Sequence, residues 1–591
     1  MKYIRSSVVI FVLGVVAQGL LFGQQVFDVN LNDRSGDTFK VTLTPEPLSA
    51  ANNIFQFAST APGTYQEMDI GRFVRDFKAF DRSGKEIPTE HSSTNQWTIS
   101  RPADVRKITY AVADIWDTKV SENRVFPMCS SMISDDFVML NGQCVFGYFS
   151  GMQANPIRIK LRTPGNWKTG TALTQDRDGY YLADNFDHVV DSPFYLGNLS
   201  TATTSVGGAT VEVYTYSRTG LITSETLLGY LNSILKAESD FTKGLPVNRY
   251  AFLFYFGTFS AGAWEHSYSS EYVMKEDTLR PGYVAELVSV VAHEFFHVNI
   301  PLNIHSELVE HFDFVKPIMS QHLWFYEGTT EWAAHILQLR DSLNTLTEYL
   351  RVLQGMTNSN DSFDPTISLT TLGLRSIELQ DQYPNIYQKG ALVSTLLDIE
   401  LLKLSHGRTG LRELILQLSK EYGKKRSFKE DEFFGQMVAK TYPEIGDFIN
   451  KYIKGTERLP LNEYLGWLGI DYREIGTVDS SKSGLGIVLN VADTSIVVTK
   501  VFSDSKSGLM AGDRIAKIDG TPVTLGSARK LFGELTTRKP GSVATITVRR
   551  NDKELKIGSV LEPRLTRHTF VASPNPSPEQ LALREAWLKN L

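Results

Sequence analysis

The chain has 591 residues, 42% of them hydrophobic and 21% charged, with a formal net charge of -6 and a pI near 6.1. That composition belongs to a globular protein long enough for about three or four domains. It excludes a disordered chain, and the acidic balance gives no nucleic-acid-binding surface.

The N-terminus reads as a targeting segment. Lys2 and Arg5 precede the apolar run Val8 to Val16, and small residues follow at Gly19 to Gly23. This is the pattern of a secretory signal peptide over residues 1–23, with a mature start near Gln24; an uncleaved anchor is the alternative. No later apolar stretch is long enough to span a bilayer, so the protein is expected to be exported, periplasmic or secreted, with no membrane span after cleavage. Residues 24–203 read as a β-rich, sandwich-like domain. Phe39-Lys40-Val41-Thr42-Leu43 and Ile157-Arg158-Ile159-Lys160-Leu161 alternate apolar and polar, and Gly, Asn, Asp and Pro punctuate the strands. No catalytic constellation lies there, so its expected part is to wall one side of a cleft. Cys129 and Cys144 are the only cysteines, and an even count in an exported chain permits one disulfide.

From residue 204 the pattern changes to α+β. Val211 to Tyr216 and Tyr250 to Phe256 read as strands, and Thr223 to Ala237 has helical spacing. A Gly-rich turn and Trp264-Glu265-His266 come next. The segment Tyr283 to Val291 then leads without Pro or Gly into His293-Glu294-Phe295-Phe296-His297. Positions four apart share a helix face, so His293 and His297 can aim two imidazoles at one metal ion, while Glu294 can reach a water on that ion as general base. The alternative is a core helix whose histidines bond backbone carbonyls, a costly use of three polar side chains in an apolar helix. A third ligand is expected from Glu327, in Trp324-Phe325-Tyr326-Glu327-Gly328-Thr329-Thr330-Glu331-Trp332, with Glu331 behind it orienting a histidine. Two imidazoles and a carboxylate with one open position suit a single Zn²⁺, although other divalent ions could substitute. A further helix spans Tyr383 to Leu402, and helices continue to about Gly455. His266, His305, His311, His322 and His335 have no spacing that makes a second metal site, and His266 is the one expected to line the cleft.

The motif and the Trp-x-x-Glu-Gly-x-Thr element after it resemble the glycyl aminopeptidase family of zinc metallopeptidases, which are gluzincins. Gly262-Ala263-Trp264-Glu265-His266 resembles that family's Gly-Gly-Leu-Glu-His element, and Tyr387-Gln388-Lys389-Gly390-Ala391-Leu392 its Tyr-x-x-Gly-Ala-Leu segment. The resemblance covers most of the chain, in the same order. It implies a thermolysin-like catalytic domain with a helical lobe over residues 204–465. It also implies that Glu265 binds the substrate's free α-amine beside Gly262 and Ala263, and that Tyr387 donates to the oxyanion, with Tyr383 as its local competitor. Small first residues such as Gly or Ala follow from it as well. One departure is clear: where the family continues after the second histidine with Trp-Asn and basic residues, this chain has Val298-Asn299-Ile300-Pro301-Leu302.

Residues 466–562 form a separate unit. Gly484-Leu485-Gly486-Ile487 resembles the carboxylate-binding loop of PDZ domains, and Ser507 to Ile515 and Ile518-Asp519-Gly520 resemble the elements that follow it. The resemblance implies peptide or C-terminus binding at a sheet edge. The tail, 563–591, carries Pro574, Pro576 and Pro578, which argue for an extended linker, and then a helical stretch from Glu579 that could dock on the catalytic domain. The chain therefore reads as an exported zinc aminopeptidase acting on peptides with a free N-terminus. Its rivals are a zinc endopeptidase, in which Glu265 binds backbone, and a PDZ-bearing peptide-binding protein with a vestigial metal site.

Overall fold

The computed structural model describes residues 24–492, 495–551 and 553–590, so the expected signal segment lies outside the described residues. Among them no helix is long and apolar enough to cross a membrane.

The N-terminal unit is built from an eight-stranded sheet and two four-stranded sheets. Alternation places Phe27 and Val29 of Gln25–Asn30 and Phe39, Val41 and Leu43 of Thr38–Thr44 inward, where they join an aromatic core with Phe55, Phe57, Trp97 and Tyr110. Cys129 and Cys144 lie in that core as free thiols, so the disulfide permitted by the sequence does not form. The Cys144 thiol donates instead to the Cys129 carbonyl oxygen at 3.3 Å.

A five-stranded sheet begins the catalytic unit. Its order is Ser200–Val206, Ala209–Ser217, Arg249–Gly257, Ser269–Lys275 and Gly262–Glu265. The three middle strands run parallel, and the two outer strands are antiparallel to their neighbours. The sheet starts at Ser200, inside the segment that the strand pattern assigned to the N-terminal domain. Gly207 and Gly208, both at positive φ, form the tight turn that folds this strand back on Ala209–Ser217. Helices pack on the sheet through the buried faces of Ser224–Thr242, capped by Thr223, and Pro281–Phe296, which has Pro at its first position. Thr329–Arg340, Leu346–Asn360 and Asn385–Leu404 add the helical lobe, and one apolar core runs through all of them.

At the contact between two of these elements neither chain carries a side chain. A Cβ on Gly328 would stand 2.5 Å from the Gly390 Cα, and one on Gly390 would stand 2.7 Å from the Gly328 Cα. The two backbones touch.

The PDZ-like unit is a sheet in which Ile487–Ala492 forms one edge, with the helix Leu525–Thr536 packed against it. It does not simply follow the catalytic unit. The long strand Ile470–Gly484 pairs with Glu562–Ala572, after the PDZ sheet, as a two-stranded ribbon. The first part of the tail is therefore strand, not extended linker, and Pro574, Pro576 and Pro578 lie beyond it. Ser577 caps, and Pro578 opens, the helix Pro578–Leu588. That helix docks: Trp587 is wholly buried in the catalytic core, and Arg340 donates from Nε to its carbonyl oxygen at 2.9 Å.

Replacing a helix-interior Gly by Ala ordinarily gains about 0.5–1 kcal/mol. Gly355, with open space around it, should follow that rule. Gly390→Ala should reverse the sign and destabilise by about 1–3 kcal/mol, because overpacking outweighs helix propensity. Urea unfolding midpoints of the two variants check this.

Candidate active site

The helix Pro281–Phe296 carries His293 and Glu294 into its last turn, with His297 at the C-cap. All three are buried. Glu327 arrives from a widened π-type turn, Trp324–Gly328, which opens directly into Thr329–Arg340. Such turns re-aim a side chain relative to a regular helix. Glu327 Oε2 lies 3.4 Å from His293 Nε2 and 3.5 Å from His297 Nε2. Zinc bonds of about 2.0–2.2 Å place tetrahedral ligand atoms roughly 3.3–3.5 Å apart, so these separations fit one ion of that size.

The outer atoms of the same groups are fixed. His293 Nδ1 lies 2.7 Å from Glu331 Oε2, and Glu331 Oε1 lies 3.2 Å from His335 Nε2. His297 Nδ1 donates to the Ile300 carbonyl oxygen at 2.8 Å. The segment that departs from the family pattern thus supplies an orienting carbonyl. Both Nε2 atoms are left to face the Glu327 carboxylate, which leaves their lone pairs for a metal.

Glu327 has a third neighbour that sequence reasoning missed. Tyr65, from the N-terminal unit, donates its hydroxyl to Glu327 Oε1 at 2.9 Å. Gln380 Nε2 donates to the Tyr65 carbonyl oxygen at 3.2 Å. Nothing local marks Tyr65: Ala61-Pro62-Gly63-Thr64 reads as an ordinary turn, and Tyr65 stands 262 positions from its partner.

A cavity of about 390 Å³ contains this cluster. Glu265, at the end of the edge strand Gly262–Glu265, enters it, and its carboxylate lies within 4.8 Å of ligating atoms of both Glu294 and His297. Gly262 and Ala263 line the same wall, so the sheet edge runs along the cleft. Tyr383 and Tyr387 line the opposite side with their hydroxyls 2.8 Å apart, and the Tyr387 ring lies 5.6 Å from that of His293. His266 is not in this cavity. It lines a second one of about 310 Å³ behind the edge strand. Gly484, Leu485, Gly486 and Ile487 are likewise elsewhere, in a groove of about 900 Å³ that the PDZ-like unit shares with Arg351 and Gln354 of Leu346–Asn360.

Burial raises the carboxyl pKa of Glu294 to about 7; the nearby His293 works against that shift and Glu327 adds to it. Burial does the same to Glu265, again to about 7, with His297 opposing and Glu327 and Glu294 adding. Burial opposes ionisation of Glu327 as well, but the two imidazoles prevail and hold it well below the carboxylate range. The Tyr387 phenol is pushed well above its usual value, chiefly by burial, so it stays a donor. Two imidazoles, one held by a carboxylate and one by a backbone carbonyl, a buried carboxyl poised near neutrality and an anchored phenol can perform metal-assisted hydrolysis.

Residues 26–198 match the family described as the Peptidase M61 N-terminal domain, 286–393 the M61 glycyl aminopeptidase family, and 483–558 the PDZ domain. No curated protein matches the chain. Among solved structures, an aminopeptidase N family protein from Idiomarina loihiensis is similar at 21% identity over 96% of this chain and 100% of that one, with a TM-score of 0.78. An M1 zinc metallopeptidase from Deinococcus radiodurans aligns at 13% identity over 74% of this chain and 95% of that one, with a TM-score of 0.47.

Two measurements test this geometry. Tyr65→Phe, which removes the hydroxyl from Glu327, should weaken metal binding about 10-fold in chelator competition, the lower end for losing such an outer partner. His266 lies buried 3.6 Å from both Asp191 and Glu271; burial opposes its charge, but the two carboxylates raise its pKa to about 9. A histidine with a raised folded pKa contributes stability that is complete below about 6.5 and lost as pH rises through the folded value. Melting temperature should therefore fall between pH 6.5 and 9, and His266→Gln should flatten that fall.

Proposed function

We propose that this chain, which carries the N-terminal and glycyl aminopeptidase domains of the M61 peptidases and a PDZ domain, works as an exported zinc aminopeptidase. It removes N-terminal residues, Gly or Ala first among them, from peptides. The observation that carries the reading is the position of Glu265: a carboxylate on the sheet edge, within 4.8 Å of the base Glu294 and of His297. An amine bound there sets the first peptide bond against the base.

His293, His297 and Glu327 would hold the zinc, which when bound supplies Lewis acidity and a water acidic near pH 7. Glu331 and the Ile300 carbonyl hold the imidazoles in the ligating orientation. Glu294 takes the proton of the attacking water and returns it to the leaving amine, a transfer suited to a carboxyl near neutrality. Tyr387 donates to the oxygen on which charge develops. Gly262 and Ala263 offer backbone to an extended substrate along the edge strand. The PDZ loop Gly484–Ile487 receives a peptide C-terminus in its own groove. The preference for a small first residue rests on the likeness to the glycyl aminopeptidase family. Export rests on the signal-like segment over residues 1–23.

Purified protein with zinc should cleave Ala-anilide and leave acetyl-Ala-anilide intact, and a chelator should abolish the activity. Glu294→Gln should lower kcat by roughly 10²–10⁴ while metal remains bound. Glu265→Gln should lower kcat/KM for the free amine by about 10–100-fold, the worth of a hydrogen bond to a charged group. Equal cleavage of free and blocked substrates by the unaltered protein would instead make it an endopeptidase.

A further inference from the structure

Two cavities meet at one thin wall. The catalytic cavity and the one behind it have Gly63, Tyr65, Trp264 and Glu265 in common. Two of these come from the edge strand, and two from a single loop of the N-terminal unit.

That loop is braced at every point. Thr60 Oγ1 donates to the Gln66 carbonyl oxygen at 2.8 Å, and Thr64 Oγ1 to that of Ala61 at 2.7 Å. Trp264 Nε1 donates to the Pro62 carbonyl oxygen at 3.1 Å. Gly63 has φ +72°, and a Cβ there would stand 2.5 Å from Glu265 Oε1 and 2.9 Å from Trp264 Nε1. Only glycine allows the loop backbone this close to the carboxylate. Tyr65 then ties the loop to Glu327 and, through Gln380, to the helical lobe.

A substrate whose amine sits at Glu265 runs along the edge strand toward Gly262, where Phe126, Met128 and Ser289 continue the cavity. Anything preceding that amine would have to cross the contact between Gly63, Trp264 and Glu265 into the second cavity. We propose that the Pro62–Tyr65 loop is the stop that makes the cut exopeptidic: Glu265 reads the charge of the amine, and the loop with Trp264 excludes any residue before it. This rests on the aminopeptidase reading and adds a specificity element from a domain outside the catalytic unit. The walled-off cavity, with Asp187, Asp191, Lys424 and Lys425 around it, is the space that preceding residues would occupy if the wall opened.

The test compares kcat/KM for Ala-anilide, acetyl-Ala-anilide and acetyl-Gly-Ala-anilide cut internally at the anilide bond, in the unaltered protein, Trp264→Ala, Trp264→Leu and Gly63→Ala. Melting temperature and bound zinc certify each variant. Either Trp264 variant, by joining the cavities, should lower the free-to-blocked ratio at least tenfold, chiefly through new cleavage of the acetylated and extended substrates. The leucine variant keeps an apolar side chain in the core should the alanine variant not fold. Gly63→Ala should act oppositely. It displaces Glu265 while the wall stays shut, so the free-amine rate falls about tenfold and the blocked substrates remain uncut. If a folded, zinc-loaded Trp264 variant keeps the ratio of the unaltered protein, the loop is not the stop, and the aminopeptidase reading survives. If the unaltered protein itself shows no preference for the free amine, that reading fails first, and the stop falls with it.

Discussion

The backbone contact between Gly328 and Gly390 fixes the site. Gly328 follows Glu327 in the chain, and Gly390 lies one helical turn after Tyr387. Because the two glycines touch, the turn bearing the carboxylate and the helix bearing the phenol close on each other to within a single backbone diameter. With a side chain at either position they would stand farther apart, and Tyr387 would withdraw from the imidazole of His293. The rest of the helical lobe packs around this contact, and the wholly buried rings of Trp324 and Trp332 lie before and after Gly328 in the chain. A pair of residues without side chains thus decides where Glu327 and Tyr387 stand.

The second constraint is electrostatic. Glu265, Glu294, Glu327 and Glu331 crowd two imidazoles on the wall of one cavity. Burial raises the carboxyl pKa of Glu265 and Glu294, the neighbouring carboxylates add to the rise, and positive charge opposes it. A dication held by the three converging donors would supply that charge, and the outer bonds from Glu331 and Ile300 set the imidazoles to face it. The cluster is therefore arranged for an ion, and its charges would be costly to bury for packing alone.

The parts of the site legible in the sequence are those written within one helical turn. His293, Glu294 and His297 follow from helix periodicity, and Glu327 and Glu331 from an aromatic-flanked helix start. Glu265 and Tyr387 were reached only through resemblance, because a lone Glu on a strand and a lone Tyr on a helix carry no spacing signal. Tyr65 and Gly63 were out of reach, since their importance comes from a contact between distant segments that a local pattern does not record. The same limit hid the ribbon. Ile470–Gly484 and Glu562–Ala572 find each other across the whole PDZ sheet, and three prolines beyond Ala572 gave the entire tail a linker-like appearance. The cysteine count permitted a bond, but the fold turned one thiol toward a carbonyl oxygen instead.

The ribbon changes how the chain is to be divided. Gly484 and Glu562 are paired neighbours at its far end, and every residue of the PDZ sheet lies between them. Beyond the ribbon the chain returns to the catalytic core, where Trp587 is sealed. The peptidase body is thus one continuous fold interrupted once, and the PDZ-like unit is an insertion with a single two-stranded stalk. Its two ends stand side by side, as paired antiparallel residues do, about 5 Å apart. Such a module can be gained, lost or exchanged in one splice, with a short turn closing the stalk and the C-terminal helix left in its seat.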